Sequence, residues 1–210
     1  MELIQAICRD HRLIEGVAGS LVAWARRGAD HPDAAADLTE FVRFFRIYVH
    51  EYHHRREEIL FRALVEHAEV SGNRGPIAIL VEEHGTAKTL IDQLAAAQPS
   101  IETAAVAETL ASEVLQHLDK EESVLLPEAE RRLIDGGIRE LDDEPPSAEV
   151  EAAVELGRSL IERLPPIDPP DLIRGEGCIV CPAFGDRCHG IETEWWSDWE
   201  REHYRSLDEG

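Results

Sequence analysis

Apolar positions recur three and four residues apart through the first two thirds of the chain, and glycine and proline mark the breaks between these runs. Leu3, Ile4, Ile7, Leu13, Ile14, Val17, Leu21 and Val22 form one stripe, which Gly28 and His31-Pro32 end near Arg27. A second begins where Asp37 and Glu40 resemble a capping pair. It runs through Phe41, Val42, Phe45, Val49, Leu60, Phe61 and Leu64 to about Val70. Gly72, Gly75 and Pro76 separate it from a third, over residues 77–97, with Ile79, Leu80, Leu90, Ile91 and Leu94. Gln98-Pro99 breaks the pattern, and Ser100 with Thr103 opens a fourth. That one carries Val106, Leu110, Val114, Leu118, Leu125 and Leu126 to about Ile134, with Pro127 placed to kink it. Four long amphipathic helices with short connections predict an all-α, up-and-down four-helix bundle over residues 1–140.

The pattern changes after that. Residues 142–146 read as an acidic, proline-containing linker. An extra helix is expected over 147–164, with Val150, Val154, Leu160, Ile161 and Leu164 on one side. Pro165, Pro166, Pro169 and Pro170 then forbid regular structure. Residues 141–210 therefore read as a linker, a short helix, a cysteine-containing tail and a final amphipathic helix over 191–207. The last helix carries Trp195, Trp196, Trp199 and Tyr204, aromatics suited to docking on the bundle, on a protein partner or on a second copy of the chain.

Composition narrows the function. A formal charge of -22 excludes the basic footprint of a nucleic-acid binder and disfavours docking on anionic membranes. No apolar run is long enough to span a bilayer, and the first residues lack the features of a signal peptide, so a cytoplasmic protein is expected. Four cysteines in such a chain suggest metal or redox use more than a disulfide framework. Cys8 stands apart and reads as a small buried hydrophobe. Cys178, Cys181, Cys188 and His189 offer a tetrahedral zinc set, with His203 an alternative fourth ligand. An iron site and a metal-free thiol cluster are the alternatives.

Candidate chemistry lies where polar residues interrupt the apolar stripes. His53 and Glu57 are one helical turn apart, and His117 and Glu121 repeat that spacing in the fourth helix. At 100° per residue, Glu57, His50 and His54 lie about 40°, 60° and 100° from His53, on a face that also carries Val49, Leu60 and Leu64. His11 and His84 supply one histidine from each remaining helix. Carboxylates turned into a bundle core are costly unless paired or bound to a cation. Two carboxylates that can each bridge two ions, with imidazoles at terminal positions, suit iron or manganese, with zinc an alternative. Counted along the chain from the connecting turns, His11 is level with His53, and His84 with His117. Across the second turn the depths differ, so residues 63–74 must overhang or fold back.

Taken together, Asp10-His11-Arg12-Leu13-Ile14-Glu15, His53-His54-Arg55-Arg56-Glu57-Glu58, Glu83-His84 and His117-Leu118-Asp119-Lys120-Glu121-Glu122 resemble the hemerythrin/HHE cation-binding domain over about residues 1–135. The resemblance implies a four-helix bundle with a non-haem di-iron centre that meets O2 or a related small oxidant, such as peroxide or nitric oxide. It implies His11 and His53 on one iron, His84 and His117 on the other, and Glu57 and Glu121 as bridges. The chain departs from the oxygen carriers one turn before the third-helix ligand, where Leu80 cannot ligate. His54 is the expected substitute and His50 its competitor; a register with His54 and Glu58 as the principal pair stays open. The departure places reversible O2 carriage in doubt and leaves two readings, an oxidant-handling protein and a non-catalytic iron- or oxygen-responsive regulator whose tail contacts a partner.

Overall fold

The computed structural model describes residues 1–28, 31–73 and 75–168, and all regular structure among them is helical. Four helical rods make the bundle. The first is α1 (Glu2–Arg27), stopped by Gly28, whose φ of 96° suits glycine. The second is α2 (Ala34–Phe44), which continues through a π-helical stretch (Phe45–His53) into α3 (His54–His67). The third is α4 (Gly75–Ala96). The fourth is α5 (Ile101–Lys120), a second π-helical stretch (Glu121–Leu125) and α6 (Leu126–Asp135). Ser100 caps α5 by accepting from the Thr103 amide at 3.1 Å, as the sequence suggests.

Two expectations are corrected. Asp37 and Glu40 cap nothing: the helix begins at Ala34, and both carboxylates bind Arg163, Asp37 at 2.6 Å. The second rod ends at His67 rather than near Val70. Its last turn is closed by the Val70 amide on the Leu64 carbonyl at 3.3 Å, with Glu69 at φ 55°. The depth mismatch is resolved the same way. The end of α3 overhangs the start of α4, and the connection turns back beside Leu64 to bury Val70.

The core is divided. One apolar cluster gathers Ile14, Val17, Leu21, Phe41, Phe44, Phe45, Val49, Ile91, Leu94, Leu110 and Val114. The other gathers Leu3, Ile7, Leu60, Leu64, Ile77, Leu80, Leu125 and Leu133. Between them, every rod changes from apolar to polar at the same height: His11, His53-His54, Glu57, His84, His117 and Glu121 are all buried there. Cys8 is half-buried beside the second cluster.

An additional helix, α7 (Ala148–Arg163), capped by Ser147, packs across α1 and α2. Val150, Ala153, Leu160 and Leu164 enter the first apolar cluster. Gly157 permits this approach, since a Cβ there would stand 2.6 Å from the Phe44 ring. None of the described helices is long and apolar enough to cross a membrane.

Candidate metal centre

The two π-helical stretches border the polar layer. In the first, the His54 amide donates to the Val49 carbonyl, five residues back, and the widened turn ends at His53. His53 and His54 are consecutive, yet both are buried and serve opposite sides of Glu57. In the second, the Leu126 amide reaches the Glu121 carbonyl, again five residues back. Pro127 follows directly. It has no amide to offer the residue 123 carbonyl, which removes an ordinary helical bond at that point. The kink expected at Pro127 is thus a π turn that begins at Glu121.

The donors fall into two sets. His54, Glu57, His84 and His117 each offer an atom within 4.8 Å of the others, and so do His11, His53, Glu57 and Glu121. Glu57 belongs to both. Its Oε1 stands 2.6 Å from His53 Nε2 and 3.8 Å from His11 Nε2, while its Oε2 stands 3.1 Å from His84 Nε2. Glu121 Oε2 lies 3.3 Å from His11 Nε2 and 3.6 Å from His117 Nε2, so it too stands between sets. The His84 and His117 Nε2 atoms approach to 3.1 Å, and the His54 and His84 rings stack at 3.7 Å.

The alternatives the sequence leaves open lie at different places in the structure. His54, not His50, lies among the donors; His50 is half-buried and meets the His54 ring edge-on at 5.8 Å. Glu58 is exposed whereas Glu57 is fully buried, so the His54/Glu58 register is not adopted. Cys178, Cys181, Cys188, His189 and the tryptophan-rich segment lie outside the described residues.

The donor set fits a metal. Glu57 and Glu121 are 0% exposed, and among the described residues their oxygens meet imidazole nitrogens in contacts without good hydrogen-bond geometry. His11 Nε2, His53 Nε2 and His54 Nδ1 are buried and likewise lack a hydrogen bond of good geometry. Buried polar atoms are normally well hydrogen-bonded, and two fully buried carboxylates facing imidazole nitrogens are the donors a shared cation would satisfy. Donors that share an ion at about 2.1 Å can stand no more than about 4.2 Å apart. Each set, with its donor atoms within 4.8 Å of one another, lies close to that limit, and an ion would draw it inward.

Outer carboxylates orient three of the imidazoles, a pairing typical of metal-bound histidines. Glu122 meets His11 Nδ1 at 3.0 Å, Asp10 Oδ2 meets His53 Nδ1 at 3.4 Å, and Glu83 Oε2 meets His117 Nδ1 at 2.9 Å. Lys120 in turn holds Glu83. Sequence reasoning gives these residues no role. The doublets Asp10-His11, Glu83-His84 and Glu121-Glu122 put an acid beside three of the donors on the chain, yet each of these acids orients an imidazole of another helix.

Charge differs across the layer. Burial acts to lower the His11 and His53 pKa values, but the surrounding carboxylates outweigh it. His11 is held well above its ordinary value by Glu121, Glu122 and Glu57, and His53 is raised to about 9 by Glu57 and Asp10. Burial, reinforced by His84 and His117, drives His54 well below its ordinary value. Burial alone would raise Glu57, but the imidazoles His53, His11 and His84 hold it well below the carboxylate range.

A four-rod helical bundle with two buried histidine–glutamate sets sharing one carboxylate defines a metal-binding protein. Residues 2–129 match the hemerythrin HHE cation-binding domain, and the chain belongs to that family. Neither curated proteins nor solved structures provide a match.

Proposed function

We propose that this protein holds two iron ions in the polar layer and uses them to bind, sense or reduce O2 or a related small oxidant such as peroxide or nitric oxide. The observation that carries the reading is the position of Glu57, fully buried with one oxygen turned to each donor set. His54, His84 and His117 would hold one ion with Glu57, and His11, His53 and Glu121 the other. The mixed imidazole and carboxylate donors favour iron, with manganese the closest substitute. Bound iron would supply the one-electron chemistry that O2 and peroxide require and that side chains lack.

The residues around the layer support a small ligand. A cavity of about 10 Å³ adjoins the His54/His84/His117 set, lined by Val49, Ala87, Val114 and Leu118 together with Glu83 and Glu113. That is about the room one water-sized molecule needs. Glu122, Asp10 and Glu83 orient the imidazoles, and the two apolar clusters keep bulk water from the layer.

The test is to load the full chain with ferrous iron and measure iron per chain, followed by O2 and peroxide uptake. Two irons per chain are expected, with uptake of oxidant. Sustained consumption marks an enzyme, whereas one equivalent bound per site marks a carrier or sensor. Little or no bound iron, with zinc bound in its place, overturns the di-iron reading.

A further inference from the structure

Outside the metal layer, the most heavily built polar feature among the described residues is centred on Arg56. This arginine, on α3, is 5% exposed. One edge of its guanidinium donates to Asp10 Oδ2 at 2.5 Å. The other edge makes a two-pronged pair with Asp143, Nε to Oδ1 at 2.8 Å and Nη2 to Oδ2. The plane lies over the Tyr52 ring at 5.0 Å. Asp10 is also fixed from its other oxygen, which accepts from the Tyr48 hydroxyl at 2.9 Å.

Asp143 belongs neither to the bundle nor to α7. It lies on the connection between α6 and α7, which starts with the Ile138 amide on the Leu133 carbonyl at 2.8 Å and lays Ile138 and Leu141 against the second apolar cluster. The neighbouring Arg55–Glu144 pair at 3.1 Å is exposed and contributes little. The Arg56–Asp143 fork is different. It is bidentate and part-buried, Arg56 being covered while Asp143 reaches the surface, and its arginine also grips the carboxylate that orients His53.

We propose that Asp143 is a positioning residue for the metal layer. Through Arg56 it fixes Asp10 against His53 Nδ1, so that the α6–α7 connection and the His11/His53 set are held or released together. The inference rests on the two-metal reading above and specifies what controls one half of that site. Its energetic content is linkage. If docking of the connection favours the imidazole orientation that binds metal, metal must favour docking by the same factor. A metal-layer event thereby reaches the segment that leads into α7.

The test uses the full chain, ferrous iron as the probe, and hydrogen exchange of peptides spanning residues 136–147. In the wild type, iron should slow exchange there. Asp143→Asn should abolish that slowing and weaken iron at the His11/His53 set by about 5-fold or more, read alone in a His54→Ala background. Asp143→Glu should restore part of both effects. Arg56→Lys, which keeps the charge but loses the fork, should behave like Asp143→Asn. The proposal is overturned if the wild type binds two irons while exchange over 136–147 stays unchanged, or if Asp143→Asn binds both with wild-type affinity. Absence of iron from the wild type would overturn the two-metal reading itself, a separate result.

Discussion

On one side of Glu57 stand His54, His84 and His117; on the other stand His11, His53 and Glu121. The second and fourth rods supply both sides, the third adding His84 to one and the first His11 to the other, and the first side is rich in imidazole and the second in carboxylate. Their proton affinities diverge accordingly. His54, crowded by other imidazoles, sheds its proton, while His53, between Glu57 and Asp10, keeps one to about pH 9. The imidazole-rich side thus offers a neutral His54 nitrogen and adjoins the small cavity, although at His117 burial is outweighed by Glu121 and Glu83, which raise its pKa. The carboxylate-rich side must release protons before it can accept a cation. Two sites built by one motif repeat are therefore not equivalent, and the asymmetry follows from which neighbours each histidine meets.

The largest disruption should come from removing what the two sides share. Glu57→Gln keeps the shape but loses the charge and one acceptor oxygen, and metal content should fall from two ions per chain to near zero by elemental analysis. Retention of both ions would mean that Glu57 is dispensable to each side. Separate losses should sharpen the contrast. His54→Ala should cost one ion from the imidazole-rich side, Glu121→Ala should first empty the carboxylate-rich side, and His50→Ala should leave both. If His50→Ala lost an ion as readily as His54→Ala, the two histidines would have to exchange roles.

The smallest effect concerns pH in the metal-free protein. His53 has a folded pKa raised from 6.5 to about 9, so its contribution is complete below about pH 6.5 and is lost as pH rises through about 9. His54 has a depressed folded pKa, so its contribution is complete above its ordinary 6.5 and is lost as pH falls below that. Melting temperature should therefore fall on both the alkaline and the acid side, by about 2–4 °C for each kcal/mol lost. His53→Gln should shrink the alkaline limb and leave the part carried by His11 and His117, whose pKa values are raised as well, with the acid limb unchanged. A metal-free protein whose melting temperature kept rising to pH 10 would contradict the assignment.

Much of this arrangement was legible in the chain. The stripes ending at Gly28 and Gln98-Pro99, and the start marked by Ser100, outlined the rods, and the repeated histidine-to-glutamate spacing named His53, Glu57, His117 and Glu121. The choice of His54 over His50 was less accessible. A uniform 100° per residue places His50 nearer Glu57, and only the π-helical turn ending at His53 changes that geometry. Asp37 misled because a local capping pattern cannot reveal Arg163, which is 126 residues away along the chain. Asp10 and Asp143 were obscured for the same reason, since their meaning depends on Arg56 reaching both.

The layered core has a consequence for how the molecule comes apart. Two apolar clusters separated by a sheet of ionisable side chains are two folding units threaded on the same rods, and without a cation the plane between them is the weakest cross-section. Water entering there would leave both ends intact, so the metal-free chain should lose cooperativity at its middle. Two ions bound across that plane would tie the units into one transition. The side chains that carry the chemistry would then also determine whether the bundle behaves as a single body.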